Sequence, residues 1–313
     1  MGGLHLAKFK DERGTNMRIE KLYSECKDYL WGGEKLKMKY GKQTDKTPCA
    51  ESWELSFHKD GLTRVSNGKT LAETVTKKDL GLKVKNFPFF PVLIKFIDAK
   101  QDLSVQVHPS DEYALKHENS FGKTEMWYIV EAEQGAGIYL GFNRDVTKEE
   151  YERAIQENRL TELLNFYEVK AGNCYFISSG TIHAIGKGCL ICEIQQNSNL
   201  TYRVYDYGRK DKNGNERELH IDKALKVTNL EKFTPICFDD CLGKCEYFIV
   251  QKLIVDGEMQ LFADEKSFQC ITCVKGSGFI DQQAFVQGDS YFIPAGFGVY
   301  ELKGVCEVIL TKV

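Results

Sequence analysis

Chemistry can be argued first from Gln106, His108, Glu125 and His183. Two imidazoles, a carboxylate and a neutral amide form a mixed nitrogen and oxygen donor set. Such a set suits zinc, manganese or iron, with no strong choice among them. If all four converge on one ion, a position is left for water or substrate. The plain alternative is that both histidines are hydrogen-bonded strand residues. Against it, these are two of only six histidines, each in an apolar strand beside a turn, with a carboxylate between them in the chain.

The elements that must position this set read as short strands. In Leu103-Ser-Val-Gln-Val-His-Pro109, alternation puts Ser104, Gln106 and His108 on one face and Leu103, Val105 and Val107 on the other. A buried polar row costs a few kcal/mol per unpaired group, so this row is expected to meet a ligand, an ion or water. Ser110 is placed to cap a short helix over 111–117, with His117 solvated on it. Glu125-Met-Trp-Tyr-Ile-Val130 is a strand that opens on its carboxylate. Residues 170–183 read as turn, strand, turn, strand. A three-residue hairpin loop at Gly186-Lys-Gly188, pairing Ile185 with Cys189, would put His183 and Glu193 on one sheet face.

A second group could receive an anion. Phe89-Phe-Pro-Val-Leu-Ile-Lys-Phe-Ile97 is a nearly continuous apolar strand broken only by Lys95. That lysine either reaches solvent from a strand end or points at an anion. The stretch from Glu193 to Arg209 is polar where a core strand would be apolar, and it carries Arg203, Asp206 and Arg209. Arginine suits bidentate binding of phosphate or carboxylate, and Lys95, Lys123 and Ser104 could join the same pocket. The bland reading of the arginines is surface charge.

The remaining chain bounds the architecture. With 313 residues, 42% of them hydrophobic, one large or two moderate cores are available, and two are expected. A net charge of −3 with no long basic run gives no sign of nucleic acid as a partner. No apolar run approaches the roughly 20 residues that span a bilayer, so no membrane is expected and a cytoplasmic protein is. The 11 cysteines sit mostly in apolar segments, which suits reduced, buried thiols. The C-x-x-C pairs Cys189/Cys192 and Cys270/Cys273 would face opposite sides of their strands, which argues against zinc there. Cys237, Cys241 and Cys245, each four apart, read the same way.

Glu51-Ser-Trp-Glu-Leu-Ser56 alternates as a strand, with Trp53 and Leu55 on one face. Tyr29-Leu-Trp-Gly-Gly33 signals a tight bend. Thr147-x-x-Glu150 is a capping box opening a helix whose core stripe runs through Tyr151, Ala154, Ile155, Leu160, Leu163 and Leu164. Gly172-Asn-Cys-Tyr-Phe-Ile-Ser-Ser-Gly180 is echoed by Gly288-Asp-Ser-Tyr-Phe-Ile-Pro-Ala-Gly296, which suggests two copies of a β-module. In the second copy Val299 stands at the place of His183, and no histidine follows His220. The division expected is a tag-like or upstream extension over 1–16, a metal-binding catalytic module over 17–235 and a smaller module without metal ligands over 236–313.

Leu103-Ser-Val-Gln-Val-His-Pro, Gly122-Lys-Thr-Glu125, Ser179-Gly-Thr-Ile-His-Ala and Gln195-Gln-Asn-Ser-x-x-Thr-Tyr-Arg-Val-Tyr-Asp-Tyr together resemble the short bacterial form of type I mannose-6-phosphate isomerase. The likeness runs from about Tyr29 to His220, and the tandem module extends it to the C-terminus. It implies a mainly β fold of tandem cupin (jelly-roll) modules with a small helical portion. One zinc ion per chain would be held by the residues matching Gln106, His108, Glu125 and His183. The resemblance carries Gln106, because a neutral amide is a weak zinc ligand. It also implies interconversion of mannose 6-phosphate and fructose 6-phosphate, with the essential arginine at Arg203 and substrate and phosphate contacts at Ser104, Lys95 and Lys123. The conserved acidic position matches Glu193, read here as base, proton relay or ligand-orienting carboxylate. The large helical insertion of the longer eukaryotic form is missing, leaving only the Thr147 helix. The competing readings are an iron-dependent cupin oxygenase and a non-catalytic sugar-phosphate-binding regulator; the sequence leaves the oligomeric state open.

Overall fold

The structure is a computed structural model that describes residues 17–210 and 214–313. The expectation for residues 1–16 lies outside the described residues. Three antiparallel sheets account for the chain, as a mainly β reading requires. A six-stranded sheet has the order β10-β7-β12-β5-β3-β2, from β2 (Glu25–Lys27), β3 (Glu51–Leu55), β5 (Val92–Ala99), β7 (Glu125–Ala132), β10 (Cys174–Ile177) and β12 (Cys189–Gln196). A five-stranded sheet has the order β13-β6-β11-β8-β9, from β6 (Val105–Val107), β8 (Gly137–Phe142), β9 (Leu164–Glu168), β11 (His183–Ile185) and β13 (Tyr202–Tyr205). The third sheet has the order β14-β15-β19-β16-β18-β1-β4. Its strands are β1 (Glu20–Tyr23), β4 (Arg64–Val65), β14 (Gly243–Lys244), β15 (Ile249–Ala263), β16 (Gln269–Ile280), β18 (Ser290–Ile293) and β19 (Gly298–Lys312), with β17 (Gln283–Val286) on β16.

The six-stranded sheet is the middle layer, covered on both faces, and its sequence says why. All eight residues of β5 and all eight of β12 are buried, which needs apolar side chains on both sides of each strand. On one side Val92, Ile94, Phe96, Met126, Tyr128, Leu190, Cys192 and Ile194 pack towards the third sheet through Phe248, Phe268 and Phe292. On the other, Ile97, Ala99, Trp127, Ile129, Cys189 and Ile191 meet Ile138, Leu140 and Ile185 of the five-stranded sheet. The C-x-x-C thiols divide as expected, Cys189 and Cys192 joining opposite cores, as do Cys270 and Cys273. All 11 cysteines are free.

Several local expectations change. β11 and β12 do not form a hairpin: β11 pairs with β6 and β8, whereas β12 pairs with β5 and β7 in the facing sheet. Gly186-Lys-Gly188 is the step between sheets, tied by Gly186 N–H to Gly137 O (2.9 Å) and Gly188 N–H to Ala99 O (2.7 Å). A side chain at Gly186 would put its Cβ 2.3 Å from Gly137 O, so the crossing requires glycine. Strand β6 spans only Val105–Val107, and Leu103 joins the core between the two sheets while Val105 and Val107 pack behind. Trp53 and Leu55 part company because a bulge between them sets Trp53 opposite Lys95 and Leu55 opposite Ile94. The capped helix from Thr147 is Lys148–Gln156; Leu160 and Leu163 fall in a 3-10 turn and Leu164 begins β9.

The internal echo is structural. Cys174–Ile177 and Ser290–Ile293 are both strands, entered at Gly172 and Gly288 with φ of 93° and 94°. Val299 is exposed on β19 where its counterpart His183 is fully buried. The C-terminal strands do not close their sheet alone, since β1 pairs with β18 and β4 with β1. A buried ion pair bonds this sheet to the middle one: Glu54, fully buried, lies 2.7 Å from the Lys42 ammonium and accepts from Ser290 Oγ at 3.1 Å. Removing one partner of a buried pair costs about 3 kcal/mol because the other charge stays behind. Lys42→Met is therefore expected to lower unfolding free energy by that amount in a denaturant titration; a change within about 0.5 kcal/mol would mean that Glu54 is protonated or hydrated.

Candidate functional site

The site lies between the six- and five-stranded sheets. Odd-numbered residues of β5, β7 and β12 face it, so Lys95, Glu125, Trp127 and Glu193 share one sheet surface by period-2 alternation. Register places Trp127, Glu193, Lys95 and Trp53 side by side across four strands. From the opposite sheet come Gln106, His183 and Arg203, with Gln106 paired to both of the others. Ser104 and His108 flank β6, and Lys123 lies two residues before Glu125.

His108, Glu125 and His183, all buried, hold one ligand atom each within 4.8 Å of one another. His183 Nδ1 lies 2.8 Å from Thr181 O and His108 Nδ1 lies 2.9 Å from Leu200 O. A carbonyl can only accept, so both Nδ1 atoms carry the proton and both Nε2 atoms present a lone pair, that of His108 to the Lys123 ammonium at 3.2 Å and that of His183 to the Gln106 amide at 3.3 Å. Those Nε2 atoms lie 3.4 and 3.7 Å from the Glu125 oxygens. Neither Glu125 oxygen has a hydrogen bond; Lys123 Nζ is 2.5 Å away but off the angle for one. Two carboxylate oxygens without a hydrogen bond, facing two imidazole lone pairs, are a donor set that suits a divalent cation, which would take the place the Lys123 ammonium holds beside them. The Gln106 amide adjoins the same point, its Nε2 3.3 Å from His183 Nε2, and a half-turn would present the isosteric oxygen.

Electrostatics divide the site into compensated and uncompensated parts. Lys95, 4% exposed, lies 3.6 Å from Glu51 and 3.4 Å from Glu193. Burial opposes its charge, but Glu51 and Glu193 prevail and hold it above the ordinary lysine range. The Glu193 carboxylate also accepts from Trp127 Nε1 at 3.1 Å and lies 3.7 Å from Lys123. Burial pushes Glu193 up, yet Lys123 and Lys95 outweigh it and hold the group at about 2. Burial raises Glu125 to about 8 against the pull of Lys123.

A cavity of about 240 Å³ opens beside these groups. Lys95, Ser104, Gln106, Lys123, Glu193 and Arg203 line it, so the expected anion-facing and acidic residues do converge. Arg203 donates Nε to Ser104 Oγ at 3.3 Å and Nη1 to Glu218 O at 3.0 Å. Arg209 does not join the cavity lining; its guanidinium pairs with Asp206. Among the charged and imidazole side chains of the lining, Glu51, Arg217 and His220 had no role assigned from the sequence. Glu51 had a signal, a carboxylate in a strand whose every residue proves buried. Arg217 had none, because it follows an aperiodic polar run. His117 is exposed on its Ser110-capped helix, as expected.

Residues 19–157 match the model of the type I phosphomannose isomerase catalytic domain, and residues 241–313 that of the mannose-6-phosphate isomerase cupin domain. The chain is 38% identical over 304 residues to a mannose-6-phosphate isomerase of Bacillus subtilis, covering 91% of this chain and 96% of that protein. The chain belongs to the type I phosphomannose isomerase family. A crystal structure of the mannose 6-phosphate isomerase from Bacillus subtilis superposes with a TM-score of 0.86 at 31% identity, covering 94% of this chain and 99% of the other. A mannose 6-phosphate isomerase bound with zinc and yttrium shares the fold at 18% identity and a TM-score of 0.73, over 94% of this chain and 98% of the other. The fold of this family member is thus of cupin type. No helix among the described residues is long and apolar enough to cross a membrane.

The buried His108, Glu125 and His183 give the metal-free protein a defined pH dependence. Burial holds His108 well below 6.5 and His183 at about 4, so both are neutral when folded and charged when unfolded at mildly acid pH. Glu125, about 8 when folded and near 4.5 unfolded, releases its proton on unfolding. Between about pH 4.5 and 6.5 unfolding takes up two protons here and releases one. Stability should rise with pH by about 1.4 kcal/mol per unit for that net proton. Denaturant titrations of chelated protein across this window check it, and a fall with rising pH would contradict the assigned charges. His183→Ala should also deplete bound metal in elemental analysis; unchanged metal content would remove His183 from the ligand set.

Proposed function

We propose that this chain interconverts mannose 6-phosphate and fructose 6-phosphate by moving a proton between C1 and C2 through an enediol. The observation that carries this reading is the row Trp127–Glu193–Lys95 beside the His108–Glu125–His183 cluster, in a cavity that also receives Arg203. Gln106, His108, Glu125 and His183 would hold one divalent cation, with zinc as the first choice. Bound there, such an ion supplies Lewis-acid polarisation of sugar oxygens. The N-terminal module over 17–235 carries the site. The module over 236–313 backs it without ligands of its own, borrowing β1 and β4 for its sheet.

The protein's own groups perform the rest. Glu193 is ionised at neutral pH and serves as base or proton relay at the carbon being deprotonated. The Lys95 and Lys123 ammonium groups beside it weaken its basicity and stabilise negative charge developing on the substrate oxygens. Trp127 holds one Glu193 oxygen by its Nε1–H and leaves Oε2 without a hydrogen bond, directed at the lysine side of the cavity. Arg203 serves as the essential cation, and Ser104, which accepts from it, orients substrate with it.

A coupled assay of purified protein on mannose 6-phosphate should show turnover that a chelator abolishes and zinc restores. No turnover with zinc restored would reject the isomerase. Glu193→Gln should lower kcat by about 10²- to 10⁴-fold and suppress incorporation of solvent deuterium at C2. Full exchange in that variant would remove Glu193 from the proton path. Arg203→Ala should lose most of kcat while retaining metal, and parallel loss of metal would make the arginine structural.

A further inference from the structure

The thiols of this chain are not equivalent. Burial pushes those of Cys174, Cys189, Cys270 and Cys273 up to about 12, which keeps them protonated and inert. Cys26 moves the other way. It lies on β2, Cys49 stands two residues before β3, and both are packed in the same core cluster. Each thiol has the other as a hydrogen-bond partner.

Backbone on both sides fixes this contact. β2 pairs with β3, setting Cys26 opposite Ser52, and Ala50 N–H donates to Lys27 O at 2.7 Å while Cys49 N–H donates to Gly33 O at 3.1 Å. The surface stretch 41–48 then folds over the pair, the Lys46 ammonium donating to Cys26 O and the Thr44 hydroxyl to the Cys26 sulfur. The hydrogen bond from Cys49 holds Cys26 below the ordinary thiol range, helped by Lys42 and Thr44 and opposed by burial and Glu54. The same hydrogen bond, with burial, pushes Cys49 up. The first proton therefore leaves Cys26, and Cys49 keeps its own. Cys26 is 4% exposed and Cys49 0%, whereas every residue from 41 to 48 is partly or fully exposed. A pair one loop beneath the surface is closed to a bulky disulfide and open to a reagent as small as a peroxide.

We propose that Cys26 and Cys49 form a peroxide-reactive dithiol, with Cys26 as the attacking sulfur and Cys49 as the resolving one. The Cys26 thiolate attacks one oxygen of hydrogen peroxide; the S–O bond forms, the O–O bond breaks, and the departing hydroxide leaves as water with the proton that Cys26 gave up. The Cys49 sulfur then attacks Cys26, forming the S–S bond and expelling hydroxide, which leaves as water with the Cys49 proton. Two thiols are oxidised and one peroxide is reduced to two waters. The disulfide closes residues 27–48 into a loop. Tyr29 and Trp31 within that loop line the cavity, and Glu51 of the same lining lies just beyond it, so the bond clamps one cavity wall. The dithiol chemistry stands apart from the isomerase reading.

The test treats metal-loaded full-length protein with a small excess of hydrogen peroxide and maps its thiols by non-reducing peptide mass spectrometry. A peptide joining Cys26 to Cys49 should appear, two hydrogens lighter than the sum of its parts, and dithiothreitol should remove it. The denaturation midpoint should rise with the link, because closing a loop restricts the unfolded chain, and should fall back on reduction. Cys49→Ser should retain added oxygen at Cys26, and Cys26→Ser should leave Cys49 unreacted at the same peroxide dose. Cys237→Ser, which removes the exposed thiol, should leave the link unchanged. Should the buried variants fail to fold, the peptide map and midpoint of the unsubstituted protein decide alone. Oxidation confined to Cys237, a link in any other pair, or no link at all would overturn the dithiol. Equal oxidation of Cys49 in Cys26→Ser would overturn the division of roles, and a link without a rise in midpoint would overturn the clamp.

Discussion

Five ionisable side chains are taken out of water together between two sheets, and the structure depends on their mutual compensation. Glu51, Glu125 and Glu193 face Lys95 and Lys123, all of them buried. Removing any one such charge from water alone costs several kcal/mol, so each is tolerable only beside its partners. With Glu125 ionised the set carries one negative charge in excess, and burial answers it in the metal-free protein by keeping that carboxyl protonated up to about 8, where it meets the two imidazoles. A cation at that point would balance the ionised form and so link metal binding to the stability of the interior.

That requirement shapes the fold around it. Charges can be held at fixed separations only on rigid backbone, and the middle sheet is made rigid by packing on both faces. Its far face is sealed by the C-terminal sheet, whose strands carry no histidine and whose role is to back the middle layer. The Glu54 and Lys42 pair continues the same logic through the sheet, with acidic groups of one short strand serving the site at Glu51 and the module contact at Glu54. The bulge between Trp53 and Leu55 lets that strand serve both sides.

The same compensation sets the charge state of the cavity wall. Lys123 and Lys95 outweigh burial and keep Glu193 ionised, while Trp127 fixes one of its oxygens.

Residue types and period-2 alternation singled out His108, Glu125, His183 and Lys95, whereas Gln106 as a ligand and Glu193 rested on the family resemblance. A polar side chain inside an apolar strand is costly wherever that strand lies. The same alternation anticipated the opposed thiols of the C-x-x-C pairs, the Ser110 cap and the repeated glycine-bounded strand. What it could not supply was which strands are neighbours. The Gly186–Gly188 step reads locally as a hairpin, yet it carries the chain from one sheet to the facing one, and Glu193 reaches the site across the interior instead of along a shared sheet. Leu103 turned inward and Leu55 turned away from Trp53 because strand ends and bulges break the alternation that pattern reading assumes. Arg217 and Glu51 joined the cavity, and Arg209 left it for Asp206, through contacts between residues far apart in sequence or in aperiodic loops. The chain by itself therefore determined which side chains had to be buried together. Only the tertiary structure decided their partners, because compensation of charge depends on distance in space and not on spacing along the chain.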